Sequence, residues 1–440
     1  MTELISSGRL RVTLGLVLGF FAAVYPVLPT AGHEVQSEAV RLAVSVAFFS
    51  VAIALVLGFV SIGLPFAIGV APILLVLRSG GAIYGAGVDL FYLVVAIVAW
   101  YRLPPSQLGQ RVRIRGRPWL LLLAVQCTVQ VVLAGVRSGT AARLVLPVEV
   151  ATFYVVVYLL STRMSQGTFR LALCALMTGC VTVLIWTLSA SGASSLLALR
   201  LGYDLGLNPN LIGQFAVLLI FSALLLLVLR QETRLDGFSF LVLPFGVLVV
   251  FLSGSRVALI QLGLALLVLF ANLRMARTLT MVTPVALVVA QVVGPGVFAE
   301  GLRQSEQFGR LVDFQRGQRT DLTQFAWELA AENPVFGVGP GNFVEYSLAA
   351  GLTEESGEGS YHHDAIAGTA AELGFVGLGL FALWYLSFLS SRAVGRRFGF
   401  FVVVLGTVAM AGGVTHGFFL DFFGALPFLF AVLSERFVEG

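Results

Sequence analysis

Long apolar runs separated by short polar breaks make up most of the chain. A membrane-spanning helix needs about 20 predominantly apolar residues. Runs of that kind fall near 12–30, 42–60, 62–77, 86–101, 118–136 and 144–162, then near 171–191, 209–229, 238–252, 257–273, 278–293, 365–390, 399–415 and 420–434. The pattern predicts an all-α polytopic integral membrane protein with about 12–14 transmembrane helices. Arg9 and Arg11 precede the first run, and no small-residue cleavage site with a soluble domain behind it follows, so the run reads as a retained span.

One interval breaks this rhythm. From Pro295 to Tyr361 the chain is hydrophilic and carries Glu300, Glu306, Asp313, Asp321, Glu328, Glu332, Glu345, Glu354, Glu355 and Glu358. Inside it Leu322, Phe325, Ala326 and Leu329 recur at i, i+3, i+4 and i+7, and Asn333-Pro334 stops the pattern. That stripe predicts an amphipathic helix lying on the bilayer or on the bundle. The resulting organisation is a single membrane domain: N-terminal transmembrane helices over 1–294, one large extracytoplasmic loop over 295–361, and C-terminal transmembrane helices over 362–440. No internal repeat or low-complexity tract is present.

Composition supports this picture and narrows it. Hydrophobic residues make up 58% of the chain and charged residues 11%, against about 25% charged in soluble domains. The 15 prolines and 48 glycines suit a helical bundle, where breakers are tolerated, better than the strands of a barrel. Every basic residue is arginine, which excludes a Schiff-base lysine and a Walker-type phosphate lysine. Cys127, Cys174 and Cys180 all lie in apolar stretches without CxxC pairing, so neither a disulfide framework nor a thiolate metal site is indicated. With the N-terminus inside, most arginines, including Arg102, Arg111, Arg113, Arg115 and Arg117, fall in short cytoplasmic loops. The acidic loop then faces outward.

Charges at or within the membrane are costly and are candidate functional groups by default. Ser253-Gly254-Ser255-Arg256 joins two spans and opens the second with a serine cap and a guanidinium, a combination suited to phosphate oxygens. An arginine that merely anchors a helix at the interface fits the same residues. Arg319 begins the amphipathic helix and reads either as a second anion clamp or as an ordinary solvated arginine. Asn333-Pro334-Val335-Phe336-Gly337-Val338-Gly339-Pro340-Gly341-Asn342-Phe343 is rich in turn formers. With no strand before it and no third glycine at the required offset, it is not a dinucleotide fingerprint and reads as architecture. Tyr361-His362-His363-Asp364 closes the loop, and Glu372-Leu373-Gly374 follows inside the next span. A histidine there suits proton transfer near neutral pH. A metal site at His362, His363 and Asp364 is the less favoured reading, because adjacent residues at a helix start rarely share one ion.

In order, Asn208-Pro209-Asn210, Ser253-Gly254-Ser255-Arg256, Arg319, the Asn333-to-Phe343 segment, His363 and Ala371-Glu372-Leu373-Gly374 resemble the O-antigen ligase and polymerase superfamily. The resemblance covers roughly residues 208–390. It implies a metal-independent, inverting glycosyltransferase without cofactors in the cell membrane, with its site on the extracytoplasmic side. Such an enzyme transfers a glycan from a polyprenyl diphosphate to a hydroxyl on a lipid, glycan or protein acceptor. By the resemblance, Arg256 and Arg319 contact the diphosphate and His363 is the catalytic base, with Ser253, Ser255, Asn210, Asp364 and Glu372 in support. Where the family usually has asparagine after that histidine, this chain has Asp364.

Two other readings stand beside the ligase. One is a polymerase of the same superfamily, which differs only in taking a second lipid-linked glycan as acceptor. The other is a polysaccharide or lipid transporter or flippase, which favours internally repeated halves and polar residues near the midplane. Here the polar residues concentrate at one surface and in one loop. A non-catalytic membrane scaffold is a further class that the helical architecture alone does not exclude. The orientation is open to direct measurement: cysteines introduced as Ser305→Cys and Ser356→Cys should react with an impermeant maleimide on intact cells. Labelling only after lysis would reverse the topology.

Overall fold

The computed structural model describes residues 7–25, 38–78, 82–104, 114–134, 140–191, 201–202, 205, 207, 209–228, 233–255, 258–259, 261–263, 318–352, 365–390 and 422–438. Among the described residues all regular structure is helical. The helices are α1 (Ser7–Val24), α2 (Glu38–Gly58), α3 (Val60–Arg78), α4 (Ala82–Arg102), α5 (Arg117–Ala134) and α6 (Thr140–Phe153), followed by α7 (Gln166–Ala190), α8 (Pro209–Val228) and α9 (Thr233–Ser253). Then come α10 (Gln318–Glu332), α11 (Phe343–Ala349), α12 (Ala365–Leu389) and α13 (Phe422–Val438). α6 continues into a π turn, Tyr154–Leu159, and a 3₁₀ turn, Leu160–Thr162. Gln166–Ala190, Pro209–Leu227 and Ile366–Phe388 are long and apolar enough to cross a bilayer, and shorter apolar helices accompany them. The protein is an all-α membrane protein. The apolar runs near 257–273, 278–293 and 399–415 lie wholly or mostly outside the described residues.

The chain divides into two compact units that interleave along the sequence, Met1–Gly80 with Ser165–Phe314, and Gly81–Met164 with Gln315–Gly440. In the first, α3 packs on α1, α2 and α7, α7 packs on α8, and α8 on α9. The α3–α7 crossing is backbone against backbone: a Cβ added to Gly179 would lie 1.8 Å from the Gly69 carbonyl oxygen, and one on Gly69 would lie 2.9 Å from the Ala175 Cβ. Membrane helices associate by close van der Waals approach because lipid supplies no hydrophobic drive between them. Small residues at this crossing permit it. Phe20, Phe48 and Phe66 fill the neighbouring space edge to face and tilted, with centroids 4.2 to 6.4 Å apart. Thr178 and Thr182 return their hydroxyls to carbonyls one turn back in α7, so these two hydroxyls leave no free donor in an apolar helix.

In the second unit α4 and α5 pack on α6, α13 packs on α6 and its π turn, and α12 packs on α5 and α10. Trp384 is fully buried among Phe153, Phe388 and Phe428, with centroids 5.1 to 6.2 Å away. Its indole N–H donates to the Tyr158 hydroxyl at 3.0 Å, which satisfies the one polar atom the ring buries. The amphipathic stripe expected between Leu322 and Leu329 is α10. It packs on the protein, since Leu322, Ala326 and Leu329 are buried with Phe343, Ala367 and Ala371.

One span departs from the simple expectation. The run at 365–390 reads as one continuous helix, but α12 breaks at Gly374, which has φ 68° and ψ −174°. An unbroken helix would bond the Phe375 N–H to Ala371 and the Val376 N–H to Glu372. Those N–H groups donate instead to the carbonyls of Pro334, at 2.8 Å, and Val335, at 3.3 Å. The vacated carbonyls of Ala371 and Glu372 accept from the N–H groups of Val338 and Gly339 at 2.8 and 2.9 Å. Gln126 of α5 donates its side-chain N–H to the Leu373 carbonyl at 2.8 Å. The Asn333-to-Phe343 segment therefore replaces the helix's own bonds around the break, which is the condition for non-helical backbone inside a membrane protein.

Gly374 has no alternative residue. Its φ lies in the left-handed region, and a Cβ there would lie 2.3 Å from the Val335 carbonyl oxygen. Gly374→Ala is expected to destabilise the purified protein by about 1–3 kcal/mol, read as a lowered Tm in detergent. Gly379→Ala in the same helix, where an added Cβ meets nothing within 4 Å, should leave Tm unchanged.

Candidate active site

The first group of candidate residues lies in the first unit, at the turn after α9. Ser253 donates its hydroxyl to the Val250 carbonyl at 2.8 Å and accepts the Ser255 N–H at 3.3 Å, which folds the chain back on the end of the helix. The Ser255 hydroxyl accepts the Ala258 N–H at 3.2 Å, the geometry of a helix N-cap. It also donates to the Asn210 side-chain oxygen at 2.9 Å. Asn210 sits in the first turn of α8, whose first residue is Pro209, a position where the missing N–H costs nothing. Gly213, one turn further, admits this contact, because a Cβ there would lie 2.7 to 2.9 Å from Ala258, Ser255 and Ser253.

Two helix N-termini are thus tied together by one hydroxyl–amide bond. Ser253 and Ser255 are 1% and 2% exposed, so their hydroxyls hold the turn and do not face an open site. The partial positive charge at helix starts favours an anion there. Arg256 follows Ser255 directly and lies outside the described residues. The structure brings Ser253, Ser255 and Asn210 together, as supports of the helix start that precedes it.

The second group lies in the second unit. Arg319 is in the first turn of α10. α10 ends at Asn333-Pro334 beside the break in α12, and its stripe runs back to Ala367. The starts of α10 and α12 consequently lie at the same end of the packed pair. His362, His363 and Asp364 immediately precede Ala365, the first residue of α12, and lie outside the described residues.

Glu372 is 8% exposed in α12. Its carboxylate accepts the backbone N–H groups of Gly341 and Phe343, and Phe343 begins α11. Gly337, with φ 67°, passes so close to the helix that a Cβ would lie 2.5 Å from the Ala371 carbonyl oxygen. Glu372 is therefore a fastener between span and loop: its backbone carbonyl holds Gly339 and its side chain holds the residues that follow.

Two residues with a part in this assembly were not among those the motifs singled out. Gln126 donates to Leu373 and Gln130 to the Phe336 carbonyl. They stand four apart on α5, so they share a helix face. An i, i+4 glutamine pair inside an otherwise apolar span was the available signal.

A family model described as O-antigen ligase matches residues 239–382. That stretch runs from within α9, through the Ser253–Ser255 turn, α10 and the Asn333-to-Phe343 segment, into α12 beyond its break. No curated protein matches the chain.

The fastening role of Glu372 is separable from a chemical one. Glu372→Leu leaves two buried N–H groups without an acceptor, at a cost of about 1–3 kcal/mol each, and should speed amide hydrogen exchange at Gly341 and Phe343. Glu372→Gln keeps an acceptor oxygen and should show an intermediate effect. Equal exchange in all three proteins would remove Glu372 from this role.

Proposed function

We propose, from the premise that the chain is a member of the O-antigen ligase superfamily over residues 239–382, that it transfers a glycan from a polyprenyl diphosphate to an acceptor hydroxyl outside the cytoplasm. The observation that carries the reading is the pair of helix starts joined by the Ser255–Asn210 bond immediately before Arg256, within or beside the family-matched stretch. In this reading Arg256 and Arg319 contact the diphosphate. Guanidinium groups engage phosphate oxygens in a bidentate way and stay charged throughout, so they stabilise the departing diphosphate without a metal.

The acceptor oxygen attacks the anomeric carbon from the face opposite the diphosphate. The bond between that carbon and the diphosphate oxygen breaks, inverting the centre, and polyprenyl diphosphate leaves. His363 takes the acceptor proton, a role for which imidazole is suited near neutral pH. Asp364 and Glu372 support it, Glu372 by holding the loop and the first half of α12 in place. The acceptor is a lipid, glycan or protein hydroxyl. A second lipid-linked glycan in that position would make the enzyme a polymerase.

The test is transfer from a synthetic polyprenyl-diphosphate glycan by the purified full-length protein. Arg256→Lys and Arg319→Lys should each lower kcat by about 100-fold, the scale of losing a preorganised charge contact in the transition state. His363→Ala should lose about 100-fold or more while retaining donor binding, because a base contributes mainly in the transition state. His362→Ala should keep most activity, because the resemblance puts the family's histidine on His363. Abolition by EDTA with rescue by divalent ions would replace this mechanism with a metal site at His362, His363 and Asp364.

A further inference from the structure

The second unit carries a different kind of site at its other end. α5 rises about 1.5 Å per residue, so Arg117 at its start lies about 20 Å from Gln130 and the loop that Gln130 holds. At this end four arginines gather: Arg102 ends α4, Arg115 and Arg117 flank Gly116 at the start of α5, and Arg163 follows the 3₁₀ turn after α6. The described segments 100–104, 114–119, 154–164 and 384–390 contain no Asp or Glu, and α13, which packs on the π and 3₁₀ turns, adds Glu435 and Arg436 near its C-terminal end.

Two of the arginines, Arg117 and Arg163, are held in place by a ring each and by a hydroxyl or a carbonyl. The π turn brings Tyr154 and Tyr158 into a stack, with centroids 5.6 Å apart and ring planes 20° apart. Arg117 lies over the Tyr154 ring at 5.3 Å and donates Nε–H to a Tyr154 hydroxyl. Tyr158 is anchored twice, donating to the Arg115 carbonyl at 2.9 Å and accepting from Trp384 at 3.0 Å. Arg163 lies over Trp100 at 5.0 Å and donates one Nη1–H to the Leu103 carbonyl at 2.9 Å. A guanidinium has five N–H donors, and these contacts occupy the ring-facing side and one donor each. No partner for the other donors of Arg117 and Arg163 falls among the described residues, Arg102 and Arg117 are exposed, and Tyr101 beside them is 78% exposed. π turns recur at functional positions in helices. Here the turn sets the tyrosine stack on which the Arg117 guanidinium lies, while Arg163 lies on Trp100 of α4.

We propose that this end of the second unit binds the headgroups of anionic phospholipids in the leaflet opposite the Asn333-to-Phe343 loop. The chemistry recognised is a phosphodiester at the depth of an aromatic girdle. Its phosphate oxygens meet preoriented guanidinium donors, and its acyl chains lie against the apolar spans. The proposal does not depend on glycan transfer. It depends only on the helices spanning the membrane.

The experiment is native mass spectrometry of the full-length protein in detergent, titrated with phosphatidylglycerol and, separately, with phosphatidylcholine. The wild type should bind phosphatidylglycerol more tightly. Each of Arg102→Gln, Arg117→Gln and Arg163→Gln should weaken that binding about fivefold, the fold-change that corresponds to about 1 kcal/mol per arginine at a membrane surface. Arg117→Lys, which keeps a charge but loses the fork, should fall between. Arg9→Gln with Arg11→Gln removes the same kind of charge from the first unit and should leave the affinity unchanged. Melting each variant in zwitterionic detergent separates misfolding from lost contacts, and Arg102→Gln removes an exposed side chain with no hydrogen bond or ion pair among the described residues. Equal affinity for the two lipids, cluster variants that bind like wild type, or an equal loss in the Arg9/Arg11 variant would overturn the site. Displacement of the lipid by inorganic phosphate would overturn it in favour of a free-anion site.

Discussion

The break in α12 is the constraint around which the second unit is organised. A backbone N–H or C=O without a partner in hydrocarbon costs several kcal/mol, and interrupting a span at Gly374 creates such groups in opposed pairs. The Asn333-to-Phe343 segment resolves both members of each pair, accepting from Phe375 and Val376 while donating to Ala371 and Glu372. Other features serve the same exchange. α10 packs its apolar stripe on the first half of α12 and delivers Asn333-Pro334 to the break. Glu372 fixes the far end of the segment through Gly341 and Phe343, and α5 contributes two glutamines from the side.

The first unit is held together by other means. Its helices meet through glycine at the α3–α7 crossing and through a single hydroxyl–amide bond at the starts of α8 and the helix after Ser255. Both devices depend on small residues. At Gly69 and Gly179 the absence of a side chain lets backbones touch. At Gly213 it lets the serine turn sit against α8. The membrane environment favours this solution, because bulky apolar contact between helices is no better than contact with lipid.

Much of the fold could be read from the sequence because its signals are local. The apolar runs at 118–136 and 209–229 became α5 and α8 almost residue for residue, and the i, i+3, i+4 stripe with its Asn-Pro stop became α10. The break at Gly374 could not, because Ala371-Glu372-Leu373-Gly374 is compatible with a continuous span in which glycine is common. What breaks the helix is a competing set of partners some forty residues upstream, and pattern carries no record of them. The π turn is hidden for a similar reason, since Tyr154–Leu159 is an apolar run with no breaker in it. At the candidate site, residue types and order pointed to Asn210, Ser253, Ser255 and Glu372. What they do became visible only in three dimensions: the serines and Asn210 build a turn, and Glu372 fastens a loop. Arg256, His363 and Asp364 rest on the resemblance and the family match, with the described helices marking where they enter the chain.

The matching of loop to helix also has a consequence for chain length. Pro334 and Val335 accept and Val338 and Gly339 donate, each to its own partner on α12. An inserted or deleted residue between Val335 and Val338 shifts the second pair off its partners while the first stays in place. Away from Gly337 and Gly339, whose positive φ admits no side chain readily, a substitution in this stretch leaves these backbone bonds in place, whereas a change of length does not. Its spacing is under the kind of restriction that a strand experiences in a sheet, where register and not composition is what a neighbour reads.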